Sequence, residues 1–216
     1  MRRSLMFVMA ISLTVGLAGC VNTAATPPGG TIASTPPPTS SSTPTPVERM
    51  TIGLDSVSYE HDGRVDVIAL DDGASVLALF ESINGFLPTG TEIEYPPGYP
   101  TGLFTYRWSE VIVAVSDQGP ADFVILSPTI NGVPIQTTEG IAVGSSRSEV
   151  VAAGVRDYMD EDDDGVADHL ALGSREVPGT RSLDRDGFVG AEFLLLVIYG
   201  DTVERIIVPA NDFSDL

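Results

Sequence analysis

From Cys20 to Val47 the chain carries no charged residue and almost nothing that could be buried. Pro27-Pro28-Gly29-Gly30, Pro36-Pro37-Pro38, Pro44 and Pro46 stand among Ser and Thr. Such a tract cannot offset the entropy of ordering its own backbone, so it is expected to stay disordered. Folding is thereby confined to residues 49–216, which leaves one sizeable core or two small lobes. Proline-rich chain favours extended polyproline II, and the tract would reach roughly 80 Å fully extended or about 30 Å as a coil. The boundaries read 1–19, 20–48 for the tether, and 49–216 for the folded domain.

The tether explains what precedes it. Arg2 and Arg3 lead into an apolar run, Leu5 to Leu17, and then Leu17-Ala18-Gly19-Cys20. The run is shorter than the roughly 20 residues a spanning helix needs. A basic start, a short apolar centre and small residues before the cut are the parts of a secretory signal. The stretch resembles the signal peptide and lipobox of bacterial lipoproteins. That resemblance implies cleavage before Cys20, diacylation of its sulfur and attachment of the chain to the extracytoplasmic side of the cell membrane through lipid. Two acyl chains anchor stably where one is marginal. Cys20 is the only cysteine, so no internal disulfide can form.

Charge then excludes a class of partner. The formal net charge is −19, and it becomes −21 once Arg2 and Arg3 are discounted. An acidic surface of this kind repels nucleic acid and anionic headgroups, so no nucleic-acid partner is expected. All eleven basic residues are Arg, which removes Schiff-base lysines and P-loop lysines. His61 and His169 are the two histidines, and His61 falls in a turn beside Asp62. No Gly-x-Ser-x-Gly or His-Glu-x-x-His is present, and nothing recognisable points to an enzyme.

The domain alternates strand and turn signals. Thr51 to Tyr59 and Arg64 to Leu70 read as strands across Asp62-Gly63. Asp71 to Ser75 reads as a helix start, with Val76 to Ile83 helical and Gly85 the stop. Leu87 to Gly102 reads as loop because of its prolines and glycines. Phe104 to Val115 reads as one strand of period two, turned by residues 117–120, with Asp122 to Leu126 returning. Asn131-Gly132 marks another turn. Ser145 is the expected N-cap of a short helix, Val150 to Ala153, closed by Gly154. His169 to Leu172, Arg175 to Val177, and a hairpin of Glu192–Tyr199 with Val203–Val208 complete the reading.

The order helix, loop, strand, turn, strand, Pro occurs twice. Ile68 with Ile141, Ser75 with Ser148, and Leu77 with Val150 fall at matching offsets. The expected fold is α+β, an antiparallel sheet with short helices in two tandem helix-plus-hairpin repeats, halves 51–135 and 138–210. That element order resembles the tandem architecture of the β-lactamase inhibitor protein and related small bacterial envelope lipoproteins. No motif carries residues across, and fold analogy does not give function.

Two sites are proposed by the residues themselves. Asp160, Asp162 and Asp164 occupy positions 1, 3 and 5 of a calcium loop, with Gly165 at 6, the Val166 carbonyl at 7 and Asp168 at 9. Alternate carboxylates converge on one cation where glycine lets the loop turn sharply. Ala171 replaces the bidentate Glu of position 12, and a solvated acidic loop is the competing reading. The second site is aromatic. Tyr106 and Trp108 alternate with polar residues, and Tyr95 to Pro100 would form a rim loop with Tyr95 and Tyr99. Core packing and a partner-binding surface both fit this pattern. The expected function is a membrane-anchored, non-enzymatic module that binds another envelope protein. A calcium-dependent module is the alternative, and Ca2+ the one cofactor to consider.

Overall fold

The computed structural model describes residues 48–116 and 119–213. The expected signal peptide, Cys20, almost all of the expected tether, and Asp117 and Gln118 of the expected turn lie outside them.

A first sheet is built from β1 (Arg49–Ile52), β2 (Ser56–His61), β3 (Arg64–Ala69), β8 (Thr129–Ile130) and β9 (Val133–Thr137), in the order β3-β2-β1-β9-β8. β1 runs parallel to β9, and the β1–β2 and β2–β3 pairs are antiparallel. The expected strand Thr51–Tyr59 is two strands. Gly53 donates its N–H to the Ser56 carbonyl at 2.8 Å and turns the chain there. Asp62 and Gly63 take φ of 47° and 71°, the left-handed pair that a two-residue hairpin needs.

Each of the two helices is followed by four strands of a second, larger sheet. α1 (Gly73–Asn84) leads to β4 (Thr91–Glu94), β5 (Pro100–Arg107), β6 (Val111–Ser116) and β7 (Ala121–Ile125). α2 (Arg147–Ala152) leads to β10 (Arg156–Met159), β11 (His169–Glu176), β12 (Ala191–Tyr199) and β13 (Thr202–Asn211). Together these strands form an eight-stranded sheet ordered β10-β11-β12-β13-β7-β6-β5-β4. Each half is an antiparallel meander, and the halves meet through their last strands, β13 and β7. The strand order is therefore symmetric about the β13–β7 seam, and the fold is α+β.

The helix starts set the register between the halves. Asp72 caps α1 by accepting from the Ser75 N–H at 3.1 Å. Ser146, not Ser145, caps α2. Ser146 and Glu149 are three apart and satisfy each other's backbone N–H groups in a capping box. The Ser145 hydroxyl instead accepts from the Ala142 N–H. Counting from the caps aligns Val76 with Val150, both fully buried, one place off the expected pairing of Leu77 with Val150. Ile68 and Ile141 are not equivalent: Ile68 is half-buried on β3, whereas Ile141 is buried in the loop before α2.

Other boundaries also move. Leu87–Gly102 is not loop throughout, since β4 and the start of β5 lie inside it. The expected strand Phe104–Val115 is the β5–β6 hairpin, turned at residues 108–110, with the Trp108 N–H on the Val111 carbonyl at 2.9 Å. β10 falls in what read as loop. β11 joins two expected short strands across a bulge at Gly173, whose φ is 67°. One core fills the space between the two sheets and the helices. Val76, Leu79 and Phe80 of α1 and Val150 of α2 pack with Val113, Phe123, Leu196 and Ile206. Both helices thus cover the same face of the large sheet, and the other face carries neither.

Candidate partner-binding face and acidic loop

The aromatic residues do not form one surface. Trp108 is buried, its Nε1–H donating to the Phe86 carbonyl at 3.1 Å, with the Phe80 ring 6.4 Å away. Tyr106 pairs with Val113 on the helix-covered face and packs against the core. Trp108 is a core residue, which removes it from the partner-binding set, and Tyr106 is half-buried against the core, because period two placed both on the face that the helices bury. Tyr95 and Tyr99 sit at the tip of the β4–β5 hairpin, 83% and 67% exposed, with the Tyr95 N–H on the Tyr99 carbonyl at 2.9 Å.

The helix-free face carries a different pattern. Reading across strands in register, Arg107 (β5) neighbours Ile112 (β6), then Val124 (β7), Ile207 (β13), Leu195 (β12), Ala171 (β11) and Arg156 (β10). An apolar row of five side chains crosses both meanders between two arginines. At about 4.8 Å per strand the apolar row is roughly 19 Å long, and the two arginines stand roughly 30 Å apart. Ile112, Val124, Ile207 and Leu195 are half-buried and stay open to solvent. Asp122 is the carboxylate beside this row on β7. Although its side chain keeps solvent contact, desolvation by the flanking strands raises its pKa.

At the β10 end the face gains a cover. Residues 177–190 fold back and are held by the Leu183 N–H on the Asp212 carbonyl at 2.6 Å and by an ion pair of Arg156 with Asp184 at 2.9 Å. Asp212 is buried, its carboxylate accepting from the Ala191 N–H at 2.6 Å and the Ser182 hydroxyl at 3.0 Å. The Arg156 guanidinium lies 5.7 Å from the ring centroids of Tyr158 and Phe193. Burial first, then the charges of Asp184 and Asp212, raise the Tyr158 phenol pKa.

The acidic loop joins β10 to β11, the place in the second meander that the Tyr95–Tyr99 loop takes in the first. Its ends are fixed. The Asp168 N–H donates to the Met159 carbonyl at 2.9 Å, and Arg147 Nη1 donates to the Ala167 carbonyl at 2.7 Å. One carboxylate oxygen from each of Asp160, Asp162 and Asp168 lies within 4.8 Å of the others, a group that could hold a metal ion. Asp164 is not in this group; its Oδ1 accepts from the Val166 N–H at 2.8 Å. Asp160 also accepts from the Gly165 N–H at 2.7 Å, and Asp168 from the Glu161 N–H at 3.0 Å. Gly165, with φ of 88°, makes the expected sharp turn. His169 lies 3.7 Å from Glu161, and its Nε2 is buried without a hydrogen-bond partner.

Sequence reasoning missed the apolar row and the Arg156–Asp212 cluster. The row takes single residues from strands far apart in the chain, so no local pattern encodes it. Arg156 and Tyr158 do alternate at period two, which was the available signal for β10 and its outward side chains. The chain matches no family model, no curated protein and no solved structure. Among the described residues no helix is long and apolar enough to cross a membrane.

Proposed function

We propose that the chain is a lipid-anchored extracytoplasmic protein whose α+β domain is a non-enzymatic module that binds another protein of the cell envelope. The observation that carries the binding reading is the half-exposed apolar row on the helix-free face, continuous from Ile112 to Leu195 across both meanders. Half-exposed aliphatic side chains on a sheet face gain by burial against a partner, at about 25 cal/mol per Å² of apolar area removed from water. A photo-cross-linking residue at Ile112 or Ile207 is expected to give adducts with a second protein in intact envelopes, and Val124→Asp to abolish them. Val67 on the far sheet, 65% exposed, is the control position. Equal adducts from Val67, or none from Ile112 and Ile207, would reject the face. The anchor reading rests on Leu17-Ala18-Gly19-Cys20. Cys20→Ala is expected to lose metabolic labelling by a lipid precursor, and equal labelling of both chains would reject it.

A second reading follows from the grouped carboxylates of Asp160, Asp162 and Asp168. They would hold Ca2+, with the Val166 carbonyl at position 7, and Asp164 would have to exchange its contact with the Val166 N–H for the cation. With Ala171 at position 12 the affinity falls in the range of extracellular modules, roughly 10⁻⁴ to 10⁻³ M. Millimolar calcium is expected to raise the melting temperature, and Asp162→Ala with Asp168→Ala to remove the rise. Calorimetry without heat of binding at several millimolar calcium leaves a solvated loop.

A further inference from the structure

Asp122 stands on the helix-free face, paired across the sheet with Ala114 of β6 and two residues before Val124 of the apolar row. Residues two apart on one strand share a face at a spacing of about 7 Å. The Asp122 side chain is exposed, so a docking protein can reach it. Among the described residues no hydrogen bond or ion pair reaches its carboxylate, although every basic residue except Arg2 and Arg3 is among them. The flanking strands already strip away part of its water. Among the described Asp and Glu side chains it is the one whose pKa burial raises. A protein that covers Val124 also covers Asp122. Closing an apolar surface over a lone carboxylate removes its remaining water, and a buried charge without a partner is strongly unfavourable. A matching cation turns the same burial into a charge-assisted hydrogen bond. The formal net charge of −19 acts in the same direction at longer range, drawing basic surfaces and repelling acidic ones.

We infer that Asp122 anchors a single basic side chain of the protein that docks along the row; the assignment rests on the protein-binding reading above. One unpaired carboxylate takes one positive charge. Ile112, Val124, Ile207 and Leu195 beside it call for aliphatic neighbours around that charge. The partner's surface is therefore an apolar strip with one arginine or lysine set into it.

The test first titrates the full-length ¹³C,¹⁵N-labelled chain in detergent with N-acetyl-leucyl-arginine amide. The matching citrulline peptide, which keeps the shape and loses the charge, is the parallel arm. The arginine peptide is expected to shift the Asp122 and Val124 amides in a saturating way and to lower the titration midpoint of the Asp122 carboxyl. The citrulline peptide should leave all three in place, and Asp122→Asn should remove the response of the Val124 amide. No saturating shift, or an equal shift at the exposed Asp71, overturns the inference. Cross-linking from Ile207 in intact envelopes then separates the two readings. Asp122→Asn is expected to lower the adduct yield about tenfold or more, and Asp122→Arg to abolish it, with melting curves showing that both variants fold. An unchanged or higher yield in Asp122→Asn overturns the inference and keeps the docking face, leaving a carboxylate that only keeps the bare row soluble. No adducts with Asp122 in place overturn the docking reading itself.

Discussion

Asp122 and the capping carboxylates respond to acid in opposite directions. Desolvation raises the Asp122 pKa, so the folded chain holds that proton more tightly than the unfolded chain. The penalty is absent below the unfolded pKa and fully present above the folded one. Asp122→Asn is therefore expected to raise the melting temperature at neutral pH and to leave it unchanged in strong acid. Asp72 and Glu149 are the reverse case. Hydrogen bonds from Ser75 and Ser146 lower their pKa values. Their contribution is present above the unfolded pKa and is lost as pH falls through the folded one. Glu149→Gln should lower the melting temperature at neutral pH and lose its effect in strong acid. Melting curves across a pH series check both. At this scale the sequence was informative to within a residue where a side chain acts on its own backbone, the α2 cap being read at Ser145 and lying at Ser146. Asp72, Asp62-Gly63 and Asn131-Gly132 were readable because a cap or tight turn is decided within four residues. Arg156, Asp184 and Asp212 were not, because their roles depend on neighbours brought from elsewhere in the chain.

α2 shows how little an element can rest on its own propensity. It runs only from Arg147 to Ala152, far below the roughly 12–15 residues an isolated helix needs. What holds it is the capping box at one end and Val150 in the core. Ser146→Ala is expected to cost about 1 kcal/mol by urea titration. Phe80→Ala in α1 removes a fully buried ring that meets Phe123 at 5.5 Å, and should cost about 3–5 kcal/mol. In the large sheet the elements that escaped the sequence were β4 and β10, its two edge strands. An edge strand buries little, so Thr91-Glu92-Ile93-Glu94 and Arg156-Asp157-Tyr158-Met159 carry charges where an inner strand carries Val and Leu. Phe104–Val115 failed for the opposite reason. Its alternation continues through Trp108, whose side chain is buried although its backbone has already begun to turn.

Across the whole molecule the duplication was legible only as an order of elements, and its register was one residue off until the caps fixed it. The structure supplies what no repeat count could, the meeting of the two meanders at β7 and β13. That seam consists of three residue pairs, Ile206 with Ile125, Ile207 with Val124 and Val208 with Phe123. Within each meander every strand pairs with one close to it in sequence, whereas the seam joins residues roughly eighty positions apart. Loop-closure entropy makes such distant pairs slow to form, while hairpins close locally. Assembly of the large sheet is thus expected to be two quick local events followed by one slow encounter. Ile206→Val lies on the seam and should accelerate unfolding while leaving the refolding rate nearly unchanged. Val113→Ala, inside a single meander, should slow refolding instead, and the two arms of a chevron plot would tell these apart.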